Sequence, residues 1–308
     1  MEKNERDIMR IAGLYHGIVL EQLEALAWDR LMFYEDLKDG GLRLVIKAIN
    51  IPVAEQPLFF EDTPMRVRLA ALSFDHCVKV IATASGILAL LTKEVHIGDP
   101  LPARRLEVWR QDEDETCRVT GAQSHTILKI TSTLSSNGHT GAHSPLELIA
   151  DPTHQQYWFE SGIETYSLYK QHKSRSNGQD VTEEKFGTLY KDFRGHFRIM
   201  MKRVETTFGL ILGQALLRTT NNAVYAEMKE IGGRDALLEL DDKLFSVAQE
   251  GILKALRKAL QELRVAMERV HFWVEYEHEH EEYLSLLEQA TGEGHRACDM
   301  ALENLLYA

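Results

Sequence analysis

Proline is missing from the second half of this chain. All seven prolines of the 308 residues lie at or before Pro152. Proline removes a backbone donor and clashes with the preceding turn, so a long stretch without it leaves helices uninterrupted. Cysteine is scarce as well: Cys77, Cys117 and Cys298 are odd in number and far apart, which excludes a disulfide framework. Basic charge is in deficit, with 35 Lys and Arg against 47 Asp and Glu and a formal charge of −12. That is the wrong sign for nucleic acid, whose phosphates need clustered cations. The longest apolar stretch, around Ser85–Leu91, is far too short to span a membrane, and the charged start Glu2–Asp7 lacks the apolar core of a signal peptide. No Gly-rich phosphate loop, Walker sequence or Gly-x-Ser-x-Gly elbow occurs. These absences lead us to expect a soluble, cytoplasmic protein, and 44% hydrophobic residues supply a sizeable core.

What is present divides into two halves. Ile8, Ile11, Tyr15, Ile18, Leu23, Leu26 and Leu31 repeat at helical spacing, predicting a helix over 8–38 that stops at Asp39-Gly40-Gly41. Strand patterns then dominate, over 42–51, 65–69, 76–83, 89–97, 105–109 and 126–131. The small-residue run Ser135–Pro145 marks a boundary, giving a strand-rich domain over 1–138 and a helical domain over 145–308. A second break at 173–179 leads to Asp180 and Glu183, a capping-box pattern that predicts a helix start. From Leu253 through Leu256, Leu260, Leu263, Met267, Val270 and Val274 the apolar spacing alternates between three and four. This is a heptad seam, which calls for lengthwise packing on another helix.

The order helix, glycine turn, antiparallel strands is that of a hot-dog domain, in which a sheet wraps a central helix. The segment Gly13-Leu-Tyr-His-Gly17 through Trp28–Tyr34 resembles the central helix of small hot-dog thioesterases, particularly those that release enediyne polyketides. The stretch 51–69 is similar to that family's strand, polar turn and returning strand, and Gly86-Ile-Leu-Ala89 resembles the entry to its last strand. The resemblance covers residues 10–97. It implies an α+β fold, a hot-dog-like antiparallel sheet around the helix followed by a mainly helical domain. It also implies binding or hydrolysis of an acyl thioester, on acyl-CoA or an acyl carrier protein, in polyketide or fatty-acid-type metabolism and with no cofactor. The Arg of the polyketide-releasing members falls on Arg30. Their Asp or Asn just before the helix is replaced by Ile11 and Ala12, which favours binding over catalysis. Beside this, the residues themselves offer Tyr15 and His16, flanked by glycines whose amides are expected to face a thioester carbonyl.

Two other readings come from the helical half. The seam is expected to build a homo-oligomer, a dimer in the simplest case, of a non-catalytic interaction protein. Alternatively, His271, Glu275, His278 and Glu282 share one helix face, and Glu275-x-x-His278 is the spacing of di-iron carboxylate bundles. That arrangement would make a metal-dependent oxygenase with iron as cofactor. Weaker groupings are the acidic stretch Glu35-Asp36 to Asp39, which resembles a diphosphate site, and Asn221-Asn222 with Lys229-Glu230. His295 with Cys298, and Asp75-His76-Cys77, complete the inventory.

Overall fold

The N-terminal periodicity does form a helix, α1 (Lys3–Leu26), but it stops well short of residue 38. The computed structural model describes residues 3–49, 53, 55, 57–73, 77–91, 95–98, 106–111, 116–119, 127–131, 146–151, 153–154, 161–173, 183–185, 208–273 and 276–307. After α1 the chain enters a hairpin of β1 (Asp29–Asp36) and β2 (Leu42–Ala48). Asp39-Gly40-Gly41 is its turn and not a helix stop. Gly40 takes φ 77°, a region that favours glycine, and the Gly41 N–H donates to Asp39 Oδ1 at 3.0 Å. The apolar residues over 28–34 fit both periods. In β2 the alternation is unambiguous, with Leu42, Leu44 and Ile46 buried on one face.

Two segments expected as strands are helices. Over 65–69 lies α2 (Met65–Ser73), where the Pro64 carbonyl accepts from the Val67 and Arg68 amides. Val67 and Ala70, three apart, cover Leu31, Leu42, Leu44 and Ile46 of the hairpin. The apparent alternation arises because Arg66 and Arg68 turn outward. Arg66 binds Asp36 bidentately at 2.9 and 2.7 Å, and Arg68 donates to the carbonyls of Phe60, Glu61 and Thr63. The second segment is α3 (Cys77–Leu91). Its residues from Ala82 to Ala89 are all buried, made up of small and apolar side chains with Gly86 among them, as in a helix that lies within an interior.

Among the described residues the remaining strands are β3 (Val95–Gly98), β4 (Leu106–Gln111), β5 (Thr116–Val119), β6 (Ile127–Thr131), β7 (Glu147–Ala150), β8 (Ile163–Thr165) and β9 (Glu183–Lys185). They form a four-stranded sheet in the order β1-β2-β4-β5 and a five-stranded one in the order β8-β7-β6-β3-β9. Every pair is antiparallel except β2 with β4. Glu183, expected near a helix start, lies in β9 against Gly98. The boundary run 135–145 lies outside the described residues. Leu128, Ile130, Leu148 and Ala150 share the sheet face that joins the main core. Ile127 and Ile149 point the other way, onto Tyr169 of α4 (Tyr166–His172).

Beyond residue 207 the description is all helix: α5 (Phe208–Ile231), α6 (Arg234–Glu239), α7 (Asp242–Trp273), α8 (Tyr276–Gln289) and α9 (Glu293–Tyr307). The fold is therefore α+β. α1 packs on α7, α3 and α5, while α9 packs on α5 and α3. The chief neighbours of α1 are helices, where a wrapping sheet was expected. One hydrophobic cluster draws residues from α1, α3, β6 and β7 as well as α5, α7 and α9, so both halves of the chain share it. Gln22 joins three helices, donating to Thr220 Oγ1 at 2.8 Å and accepting from Thr83 Oγ1 at 3.1 Å. At the α9–α5 crossing, a Cβ on Gly294 would stand 2.6 Å from the Asn221 carbonyl oxygen, so only glycine fits there.

The seam of α7 behaves as its spacing demands. Leu256, Leu260, Leu263, Met267 and Val270 are buried in the shared core, and the partners are α1 and α5 of the same chain. Leu260→Ala is therefore expected to lower unfolding free energy by about 2–5 kcal/mol. Val265→Ala on the same helix, at a side chain 67% exposed, should change it by under about 0.5 kcal/mol. Chemical denaturation of the two variants and wild type checks both values.

Candidate functional site

Two places gather side chains able to bind or react, and they lie on different sides of α1. The first is a buried polar cluster where α1 meets the turn after β7. Asp151 follows β7 directly, and its Oδ1 accepts from the Thr153 amide at 3.2 Å, an Asx turn that reverses the chain. Its Oδ2 accepts from the Tyr169 hydroxyl at 3.3 Å. The Asp151 carbonyl oxygen lies 3.1 Å from His154 Nδ1. A carbonyl can only accept, so this contact puts the His154 proton on Nδ1 and leaves the lone pair on Nε2. Gly162 makes room for the arrangement, since a Cβ there would stand 2.4 Å from that Nδ1 and 2.6 Å from the Asp151 oxygen. Lys173, itself buried, binds Glu164 and the Ser161 carbonyl.

His16 of α1 meets this cluster. Its ring centroid is 5.0 Å from that of His154, with the planes 42° apart. Burial lowers the pKa of both, His154 to about 4, and the charge of Asp151 opposes the shift only in part. Both imidazoles are therefore neutral at neutral pH. The Nδ1 of His16, the hydroxyl of Thr153 and the hydroxyl of Tyr15 are buried without a hydrogen-bond partner among the described residues. Tyr15 is fully buried, and burial pushes its phenol pKa up. The Gly13 and Gly17 amides do not face a ligand, because both lie within α1 and its backbone ladder. Gly17 instead lets α7 come close: a Cβ there would touch the Leu253 side chain at 2.8 Å.

The second place is a groove of about 500 Å³ between α1, the 53–59 segment, α2 and α7. Val53, Pro57, Leu58, Phe59, Leu72 and Val265 make its apolar walls, and three Glu and three Arg stand among them. Most of these charges are already paired. Arg257 holds Glu21 at 2.9 and 2.6 Å. Arg264 binds Glu268 at 2.7 Å and the Ala27 carbonyl at 2.6 Å, and it lies 4.1 Å from the Trp28 ring. Arg68 is spent on the carbonyls named above.

Arg30 does not join Tyr15 and His16. It lies on β1 past the end of α1, and residue 16 is about 15 Å back along that helix. Its guanidinium stands 6.0 Å from the Phe60 ring, next to the groove wall at Phe59. The following residue, Leu31, donates its amide to the Leu58 carbonyl at 2.9 Å. The buried Nε–H of Arg30 has no partner among the described residues.

The other groupings are described only in part, and their described members make structural contacts. His271 packs edge-on against Trp28 at 5.3 Å and against Phe272 at 4.6 Å. Glu282 is exposed on α8, while Glu275 and the His278 side chain lie outside the described residues. Among the described residues no group of three or more His, Cys, Asp and Glu side chains is placed to hold a metal ion. Glu35 pairs with Arg43 and Asp36 with Arg66, so the acidic stretch is a braced hairpin. Asn221, Asn222, His295 and buried Cys298 fill the α5–α9 crossing, with Asn222 Oδ1 accepting from the His295 amide at 2.8 Å. Burial pushes the Cys298 thiol pKa up, which leaves it protonated and unreactive. Of Asp75-His76-Cys77, the first two lie outside the described residues.

Sequence reading picked out Tyr15 and His16 but missed Asp151, His154, Tyr169 and Lys173. The available signal was Asp151-Pro-Thr-His154, a turn motif directly after a strand. Comparisons with protein-family models, with curated proteins and with solved structures return no match. No helix among the described residues is long and apolar enough to cross a membrane.

The His154 environment has a consequence for pH. Its pKa lies below the usual 6.5, at about 4, so the unfolded chain binds the proton more readily than the folded one. Stability is then full above 6.5 and is lost as pH falls toward 4. Between about pH 7 and pH 5 the loss from this group is on the order of 2 kcal/mol. Denaturation of wild type and His154→Gln across that range should show a flatter pH profile in the variant. Parallel profiles would mean that His154 is not held neutral by burial.

Proposed function

We propose that this protein binds an acyl thioester, with the acyl chain in the groove between α1, α2 and α7 and the thioester-bearing arm toward Arg30. The observation that carries this reading is the groove itself. Its volume of about 500 Å³ falls among small-molecule sites, which are concave, mostly apolar and set with a few polar groups. Burying an alkyl chain there gains about 0.8 kcal/mol per methylene. Arg30, half-buried and 6.0 Å from the Phe60 ring, adds a cation near the wall, a charge suited to the phosphates of coenzyme A or of a carrier protein's prosthetic arm. Among the described residues that line the groove there is no Ser, Thr, Cys or His, and Glu24 is the acid whose carboxylate makes no hydrogen bond to a described residue. Binding is accordingly the primary reading. Hydrolysis, if it accompanies binding, would fall to Glu24 as the base that activates water. The ligand class is the one implied by the hot-dog resemblance, but the proposal rests on the groove.

Binding of a fluorescent medium-chain acyl-CoA to the purified chain tests it. Val265→Trp places an indole at the groove mouth from an exposed position, and it should weaken binding at least about tenfold, or 1.4 kcal/mol, with the melting temperature unchanged. Arg30→Ala should weaken acyl-CoA by a similar factor but spare a short thioester that carries no phosphate. No saturable binding by wild type, or full affinity in Val265→Trp, would contradict the groove assignment.

A further inference from the structure

The His16–His154 pair, half-buried at His16 and buried at His154, has no part in the acyl-thioester reading, and its geometry asks for an occupant. We propose that these two imidazoles form a binding site for a divalent first-row transition metal ion, with Zn(II) as the representative ion.

Three observations on separate elements support the assignment. The first is spacing. Imidazole nitrogen binds zinc at about 2.0–2.1 Å, so two rings on one tetrahedral ion stand with centroids about 5 Å apart. The observed separation is 5.0 Å, with the planes tilted by 42° and not stacked flat. The second is orientation. Histidine ligands of metals are held by a hydrogen bond from the other ring nitrogen to a carbonyl or carboxylate. His154 has that bond, from Nδ1 to the Asp151 carbonyl oxygen at 3.1 Å, and so presents the Nε2 lone pair. The turn carrying this carbonyl is braced by Asp151 Oδ1 on the Thr153 amide and Oδ2 on the Tyr169 hydroxyl. The third is an unmet need. His16 Nδ1 is buried with no partner among the described residues, and an unpaired buried polar atom is costly. A metal ion between the rings satisfies it.

The chemistry of the surroundings agrees. Metal binding requires the neutral imidazole, and burial keeps both rings neutral at neutral pH. Asp151, held by Tyr169 and Thr153, contributes negative charge nearby without surrendering its hydrogen bonds. Two protein nitrogens leave the other positions of a tetrahedral ion to water or to an incoming ligand. Imidazole donors suit zinc, copper, nickel and iron, with affinity rising from iron to copper.

The test uses the purified full chain, stripped by chelator and titrated with Zn(II) by calorimetry. Wild type should bind one ion in micromolar Zn(II) or tighter. His16→Gln and His154→Gln should each lose at least about a hundredfold, exceeding the roughly ten- to hundredfold that follows loss of an outer partner. His172→Gln, at an exposed position on α4, should bind as wild type does. Absence of binding by wild type, or wild-type affinity in either pair variant, overturns the proposal. If either variant fails to fold, zinc-edge anomalous scattering from zinc-treated wild-type crystals decides. A peak between the two rings supports the site, and no peak there refutes it.

Discussion

Burial of α1 on several sides is the constraint on which the rest of the molecule depends. A helix of this length gains little from propensity alone and owes its stability to what covers it. Ile8, Ile11, Leu14, Tyr15, Ile18, Val19 and Leu23 all lie in one cluster with α3, α5 and α7. Both ends are fixed as well. Arg10 donates to the Leu238 and Leu240 carbonyls at 2.8 Å each and to Asp242 at 2.7 Å, closing the α6–α7 junction onto α1. At the other end Arg264 of α7 donates to the Ala27 carbonyl, placing a cation where the helix leaves carbonyls unpaired. The same guanidinium packs over Trp28, which starts the chain into β1.

Both candidate sites follow from that placement. The groove takes Glu21, Glu24 and Ala25 from α1 and closes with α7 and the 53–59 segment. The imidazole pair takes His16 from another side of the same helix and His154 from the turn after β7. Each site thus joins α1 to an element remote in sequence. The helix sets the distance between them, on the order of 12 Å along its axis from residue 16 to residue 24.

The parts legible in the sequence are those whose period has a single interpretation. The heptad spacing of α7 and the alternation of Leu42, Leu44 and Ile46 in β2 each reach the structure unchanged. The segments 65–69 and 76–83 do not. In α2 the alternating arginines imitate a strand while Val67 and Ala70 keep helical spacing. In α3 a β-branched composition masks a helix buried all round over residues 82–89, where period carries little information. The hairpin 29–48 was hidden because Leu31 and Phe33 continue a helical pattern as readily as a strand. Site residues divide in the same way. His16 and Tyr15 stood out by local glycine context, whereas Asp151, His154 and Lys173 acquire meaning only through packing of β7 and α4 near α1. The groove was not legible either, since its walls come from four separate segments.

Native-state hydrogen exchange of the backbone amides tests the central role of α1 most directly. If α1 is integral to the shared core, amides over Ile18–Leu23 should exchange only through global opening. Their protection should then match that of Leu256–Leu263 in α7 and fall with it as denaturant is added. Amides of α1 that exchange orders of magnitude faster than those of α7, through a separate local opening, would show a helix merely appended to the bundle. That result would contradict the account.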